Sequence, residues 1–136
     1  MKNIINIIAG ALLTGVTYFF GGWDMAMQTL VLVMALDYVT GICKAIKQKN
    51  LNSKTGLLGI LKKFGYLVIV ALAVVIDRLA GDIGVVRTMV IYFFIANDGL
   101  SILENWGGMG LPLPKKLFEM LEQLKQENGG DEQKNE

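Results

Sequence analysis

Histidine is absent from this sequence, and cysteine occurs only once, as Cys43. A disulfide framework needs several cysteines, zinc sites are built mainly from clustered cysteine and histidine, and the common nucleophilic triads need histidine. Serine is nearly absent too, with only Ser53 and Ser101. Because the residues that build most catalytic sites are missing, we predict that the chain is not an enzyme and binds no metal or cofactor.

Charged residues are also scarce, at 18% of the 136 residues, whereas hydrophobic residues make up 53%. The mean hydropathy is +0.47. A soluble domain of this size would lack the polar surface needed to cover itself. The composition therefore predicts a membrane protein, with a formal net charge of only +1.

Four long apolar segments divide the chain, at about residues 4–22, 25–43, 62–81 and 85–105. With their flanks, they approach the roughly 20 residues that a helix needs to cross the hydrocarbon core. The first segment lacks a favourable cleavage context, so we expect a retained helix rather than a secretory signal. The predicted fold class is an all-α membrane protein with about four transmembrane helices arranged as two hairpins.

The connections between the predicted spans are short, and the chain beyond them changes character. Glycine-containing links at 21–24 and 80–84 are typical of tight helix hairpins. Residues 111–127 follow a proline-rich start and carry an apolar stripe at helical spacing, which predicts an amphipathic cytoplasmic helix on the membrane surface or paired with a copy of itself. We expect residues 1–110 to form one membrane domain and 128–136 to be disordered.

Basic residues are concentrated in one connecting segment, which contains no acidic residue. Its lysines are Lys44, Lys47, Lys49, Lys54, Lys62 and Lys63. Positive charge stays on the cytoplasmic side of inserted helices, so this segment sets the topology and places both termini in the cytoplasm. Only Arg78 and Arg87 would then face outward. We expect the lysines to contact lipid headgroups rather than nucleic acid.

Two acidic residues, Asp37 and Asp98, fall inside the second and fourth spans. A mid-span aspartate costs roughly 2.5–3.5 kcal/mol, and the leucine, isoleucine and valine residues of the second span return about 2–4 kcal/mol. The free energy of inserting the second span is therefore close to zero. Each acid needs water or a partner within the membrane. The alternatives are a wet, functional interior and a purely structural role, in which the acids pair with the loop lysines, cap helices or reach headgroups.

Polar and small residues extend both acids into stripes along their helices. The predicted pore-lining or helix-pairing set is Asp37, Thr40, Gly41, Asn97, Asp98 and Ser101. For Glu104 and Asn105, near the end of the fourth span, we favour this structural role: pairing with the loop lysines, capping of helix ends or contact with headgroups.

A series of short motifs gives the chain a family resemblance. In order, they are Asp-Tyr-Val-Thr-Gly at 37–41, Ser-Lys-Thr-Gly-Leu at 53–57, the pair Lys62-Lys63, the polar stretch 97–105, Gly-Leu-Pro-Leu-Pro at 110–114 and a leucine-rich end through 121–125. Over about residues 25 to 126 the chain resembles the bacteriophage holins of the toxin-secretion/phage-lysis type. The resemblance implies a homo-oligomer in the host cytoplasmic membrane whose lesions release a phage endolysin or a toxin.

Two other functions remain open at the level of sequence. In a small ion- or proton-coupled transporter, Asp37 and Asp98 would be the titrating pair and flux would be graded and saturable. A regulatory membrane partner, such as a holin antagonist, would be harmless when expressed alone.

Overall fold

The computed structural model describes residues 1–129, and five α-helices account for most of them. Their bounds are α1 Lys2–Phe20, α2 Met25–Lys47, α3 Ser53–Leu79, α4 Val85–Gly108 and α5 Lys115–Gly129. The first four are long and apolar enough to cross a membrane. This confirms the predicted fold class. Of the predicted disordered tail, Asn128 and Gly129 belong to α5, and residues 130–136 lie outside the described residues.

Consecutive long helices run in opposite directions, so the bundle has two ends. The lysine-rich end holds the start of α1, the link 48–52 between α2 and α3, and the end of α4. The arginine end holds the links 21–24 and 80–84, together with Arg78 and Arg87.

The link between α1 and α2 follows from its glycines and from one carboxylate. Gly21 has a φ of 77°, a left-handed conformation that ends α1, and the backbone N–H of Gly22 donates to the Thr17 carbonyl at 2.9 Å. Two residues later, the Asp24 carboxylate accepts from the Met27 N–H at 3.0 Å and caps α2. A residue with a Cβ would be strained at Gly21, because that φ favours glycine.

Helix α4 is the central element of the bundle and packs against α2, α3 and α5. The buried apolar core lies where α2, α3 and α4 meet, and comprises Met27, Leu30, Met34, Tyr66, Val70, Ile91 and Phe94. The Tyr66 and Phe94 rings stack with centroids 4.0 Å apart. Helix α1 packs mainly against α3. It therefore does not pack mainly against α2, although the first tight link joins α1 to α2.

Helix α5 runs back along α4 and contacts two glycines there. Leu113, just before α5, lies against Gly107, and Leu121 lies against Gly99. Leu117 and Met120, which belong to the predicted apolar stripe, stay exposed. The sequence favoured docking on the membrane surface or on a second copy, whereas in the structure the partner is the chain's own α4.

At the arginine end, Arg87 joins three elements. Its guanidinium donates to both Asp24 carboxylate oxygens, at 2.8 and 3.0 Å, and to the Phe20 carbonyl at 2.6 Å. The Asp77 carboxylate caps α4 by accepting from the backbone N–H groups of Val86 at 3.0 Å and Arg87 at 2.8 Å. These bonds hold the end of α1, the start of α2 and the start of α4 together.

Candidate charged site within the bundle

Lys63 lies inside α3 and binds carboxylates from two other helices. Its Nζ donates to Asp98 Oδ2 on α4 at 2.8 Å and to Asp37 Oδ2 on α2. The side chains of Lys63 and Asp37 are each 12% exposed, and that of Asp98 is fully buried. Three separate helices are therefore joined by one ammonium group, which is largely removed from solvent.

The three charged residues form one layer across the bundle. Asp37 and Asp98 each lie ten residues before the end of their helices, and Lys63 lies ten residues after the start of its helix. At 1.5 Å per residue, each is about 15 Å from the lysine-rich end. The hydrocarbon core of a bilayer is about 30 Å thick, so in a membrane this layer would lie well inside it.

The position of Lys63 differs from the sequence interpretation, which grouped it with the connecting lysines. Helix α3 begins at Ser53, about nine residues before the predicted span. Asn52 caps this early start, because its Oδ1 accepts from the Lys54 N–H at 2.9 Å. The extra turns bring Lys63 into the bundle, where it neutralises part of the charge of Asp37 and Asp98.

Asn105 connects the end of α4 to the polar stripe of α2. Its Nδ2 donates to Thr40 Oγ1 at 3.0 Å and lies 3.3 Å from the Asp37 carbonyl and 3.4 Å from Asp37 Oδ1. Gly41 faces the same amide, and a Cβ there would lie 3.6 Å from it. From the sequence we expect a structural role for Asn105, and in the structure its amide joins the end of α4 to α2.

Asn97 makes a separate contact beside the charged layer. Its Nδ2 donates to the Tyr66 hydroxyl at 2.6 Å, and the Tyr66 ring centroid lies 5.6 Å from Lys63 Nζ. Tyr66 was not among the predicted site residues, because in the sequence it is one aromatic residue in an apolar run. Its distance of three residues from Lys63 was the available signal, since that spacing puts both on one helical face.

The charge of the layer is not balanced within the described residues. Two carboxylates share one ammonium group, and Asp98 Oδ1 is buried with no hydrogen-bond partner among residues 1–129. A buried unpaired carboxylate oxygen is costly, and such groups are stable only where a partner, water or a proton compensates.

A groove of about 360 Å³ opens between α2, α3 and α4 next to the layer. Asp37, Lys63 and Ser101 line its inner part. Toward the lysine-rich end its lining includes Lys44, Gln48, Asn50, Thr55 and Lys62. Of the predicted pore-lining or helix-pairing residues, Asp37, Gly41 and Ser101 line this groove, whereas Asp98 is fully buried and is not part of its lining.

The remaining connecting lysines lie at or near the lysine-rich end. Lys47 Nζ donates to the Met109 carbonyl, and the side chain of Lys44 lies against Gly108, so both close over the end of α4. Lys49 is in the link with a φ of 54°, and Lys54 is exposed in the first turn of α3. Within residues 1–129, no three histidine, cysteine, aspartate or glutamate side chains form a group that could hold a metal ion.

Comparisons with known proteins find one family and several relatives. The sequence profile of the bacteriophage holin family matches residues 14–126. An uncharacterized 14.9 kDa protein of Clostridium perfringens is 44% identical over 128 residues, which covers 91% of this chain and 97% of that protein. A probable holin of Bacillus phage phi105 is 33% identical over 112 residues, or 82% of each chain. No solved structure matches.

Proposed function

This chain belongs to the bacteriophage holin family, and on that premise we propose that it oligomerises in the bacterial cytoplasmic membrane and forms lesions there. The lesions would release an endolysin during phage lysis or a toxin during export. Four apolar helices and the family make it a multi-pass membrane protein. The chain would need no catalytic group for this role, because a lesion passes its cargo without chemistry.

The observation that carries the proposal is the layer of Asp37, Lys63 and Asp98. Ionisable residues within a span usually face a partner or water and mark a functional site. Here the lysine and both aspartates lie within one protomer, so the layer is partly neutralised when a single chain inserts. Buried ion pairs often add no net stability over apolar residues of similar volume, so a membrane anchor alone would not require three charges at this depth.

Assembly would change which groups satisfy this layer. In a single protomer, Lys63 bridges α2 and α4 and keeps their polar stripes against each other. When protomers associate, the same stripes can exchange partners between chains or turn toward water, so that a wet interior forms. Apolar helix faces, such as that of α1, stay in lipid because every residue of α1 is already at least partly exposed in the protomer.

The position of α5 supports a wet side of the bundle. Leu121 contacts Gly99, so the neighbouring Glu122, which is exposed, lies at about the depth of Asp98. A charged side chain at that depth costs several kcal/mol in hydrocarbon but little in water. In the proposed lesion, the side of α4 that carries α5 therefore faces water.

The proposed orientation places the lysine-rich end in the cytoplasm. The connecting lysines other than Lys63 lie at or near that end, and the arginine end carries Arg78 and Arg87. This puts both termini inside the cell, in agreement with the positive-inside rule. An endolysin waiting in the cytoplasm would then meet the end of the bundle that bears α5.

The test is expression in bacteria together with a cytoplasmic endolysin that has no export route of its own. We expect growth to continue for a period and then abrupt lysis, with loss of the membrane potential at the same moment. Lys54→Met, which changes an exposed lysine of α3, should lyse like the original chain, and endolysin alone should not lyse. If the protein accumulates in the membrane while cells keep their potential and do not lyse, the proposal is wrong.

The same experiment separates the two other functions. A proton- or ion-coupled transporter would give a graded, saturable change in internal pH or ion content without releasing the endolysin. A holin antagonist would leave cells unharmed and would delay lysis by a second, active holin.

A further inference from the structure

The outer part of the groove, at the lysine-rich end, has the composition of an anion-binding site. Lys44 on α2 and Lys62 on α3 line it from opposite walls, and Gln48, Asn50 and Thr55 add uncharged polar groups. Among residues 1–129, neither Lys44 nor Lys62 makes an ion pair, whereas Lys63 is already bound to two carboxylates. Two lysine side chains without an ion pair among residues 1–129 therefore line one cavity, and the carboxylate that lines its inner part, Asp37, is paired with Lys63.

The start of α3 adds to the positive potential of this site. Thr55 lies in the first turn of the helix, and the N-terminus of a helix carries a partial positive charge of about half a unit. The Asn52 side chain accepts a hydrogen bond from one of the free backbone N–H groups of this turn, that of Lys54. The remaining field adds to that of the two lysines and favours an anion at the groove mouth.

Two glycines of α3 shape the wall of the groove. Gly59 lines the groove, and a Cβ at Gly56 or Gly59 would lie 3.4–3.6 Å from the Tyr38 ring or hydroxyl, in ordinary contact. Tyr38 therefore packs closely against the backbone of α3 and does not fill the groove. The groove is open on one side and reaches the lysine-rich end, where a phosphate group could enter.

We propose that this groove binds the phosphate of an anionic phospholipid headgroup, with Lys44 and Lys62 as its two charged ligands. The groove reaches the level at which headgroups lie if the long helices span the bilayer. Basic pockets between membrane helices are suited to such headgroups, because each lysine near an anionic surface contributes about 1 kcal/mol. The site would hold one lipid per protomer and fix the level of the charged layer below it. The proposal requires membrane insertion but does not depend on lesion formation.

The test uses the full chain purified into phosphatidylcholine nanodiscs and titrated with phosphatidylglycerol, with bound lipid counted by native mass spectrometry. We expect one tightly bound phosphatidylglycerol per protomer. At about fivefold per lysine, Lys44→Gln/Lys62→Gln should weaken its binding about 25-fold. Lys44→Arg/Lys62→Arg should restore binding, and Lys115→Gln/Lys116→Gln, which removes the same charge from α5, should leave it unchanged.

Three results would overturn the proposal. Equal loss in the α5 variant would show a diffuse charge effect, and no loss in the groove variant would show that the groove binds no anion. If inorganic phosphate or glycerol phosphate displaces the lipid at equal concentration, the ligand is a free anion and not a lipid. Circular dichroism checks that each variant folds. Lys44 also covers the end of α4, so its substitution could disturb folding. In that case Lys62→Gln alone replaces the double variant. Lysis is not measured, so failure here leaves the proposed function untouched.

Discussion

Asp98 accepts a hydrogen bond from Lys63 through Oδ2, at 2.8 Å, while its other oxygen, Oδ1, is buried without a partner among residues 1–129. Lys63 also binds Asp37, so a single ammonium group holds two carboxylates from different helices. Removing the ammonium would leave both acids without a cation in a largely buried layer. Lys63 of α3 therefore contributes to the packing of α2 and α4, together with the apolar core between them.

Lys63→Met should destabilise the bundle strongly. Removing one member of a buried ion pair costs about 3–5 kcal/mol, because the remaining charge stays buried without compensation. The measurement is the free energy of unfolding in mixed micelles, obtained by titration with a denaturing detergent. Lys54→Met, the same change at an exposed site of the same helix, should alter this free energy by less than about 0.5 kcal/mol.

A triple variant separates charge from packing at Lys63. Lys63→Met/Asp37→Asn/Asp98→Asn removes all three charges, so no uncompensated carboxylate remains, and it should regain most of the lost free energy. If it is as unstable as Lys63→Met, the packing of the lysine side chain, and not its charge, holds the layer together.

The ion pair between Asp24 and Arg87 should make stability depend on pH at the acid end. The Arg87 guanidinium, which donates to both carboxylate oxygens, lowers the pKa of Asp24 below its ordinary value of 3.8. Partial burial opposes this shift, and the bond from the Met27 N–H adds to it. A lowered pKa contributes stability that is fully present above pH 3.8 and is lost as the pH falls through the folded-state value.

Asp24→Asn tests this contribution, because asparagine retains the capping oxygen of α2 but has no charge. We expect the unfolding midpoint of Asp24→Asn to depend less on pH between 5 and 2.5 than that of the original chain. Asp82→Asn, in the neighbouring link at the arginine end, serves as the control and should keep the full pH dependence. If the unfolding midpoint depends on pH equally in all three proteins, the pair of Asp24 and Arg87 does not contribute to the pH dependence of stability.

Gly99→Val should release α5 from α4. Leu121 Cδ1 lies 3.0 Å from the position of a Cβ at Gly99, so a valine side chain would overpack the contact. Overpacking costs about 1–3 kcal/mol, which raises the fraction of undocked α5 at least about fivefold. Trypsin cleavage after Lys115, Lys116 and Lys125 measures this fraction in reconstituted protein.

The matched control is Gly65→Val, because no heavy atom lies within 4 Å of a Cβ at Gly65 in α3. It places the same residue in an apolar helix without touching α5. If both valine variants are cleaved at the original rate, α5 is not held by the Gly99 contact.

The four spans could be predicted because a run of about 20 apolar residues is a property of composition alone. Which helix packs on which could not, since it depends on contacts between distant residues. The tight link at Gly21 indicated that α1 and α2 would pair, but α1 lies mainly on α3. Arg87 ties that link to the start of α4 through Phe20 and Asp24, and the sequence offered no reason to join residues more than 60 positions apart.

Within the site, hydropathy identified the acids, and the sequence offered the connecting lysines as possible partners without distinguishing Lys63 among them. Asp37 and Asp98 stand out because they interrupt apolar segments, whereas Lys63 is one of six lysines in a polar connection. Lys63 shares a helical face with the buried Tyr66 and Val70 through spacings of three and seven, and the early start of α3 at Ser53 places it ten residues inside the helix. Lys62, one residue earlier, is exposed. Helical spacing alone does not distinguish the two, because Lys62 lies four residues before Tyr66 and its Nζ is 5.9 Å from the centroid of that ring.

The two acids should not act independently, and this follows from counting charges. Asp37→Asn leaves Lys63 paired with Asp98, and Asp98→Asn leaves it paired with Asp37, so either single variant keeps one acid and one lysine. The double variant leaves Lys63 as an isolated cation in the layer. Its loss of unfolding free energy should therefore exceed the sum of the single losses by about 0.5–3 kcal/mol, the range found for directly coupled residues.

The measurement is a double-mutant cycle in the same micelles, with Asp24→Asn and Asp98→Asn as the control pair. Asp24 lies in the link at the arginine end and shares no partner with Asp98, so that cycle should be additive within about 0.5 kcal/mol. If the Asp37 and Asp98 cycle is additive too, Lys63 does not couple the two helices. The layer would then be two separate contacts, and no partner exchange through Lys63 could open the bundle.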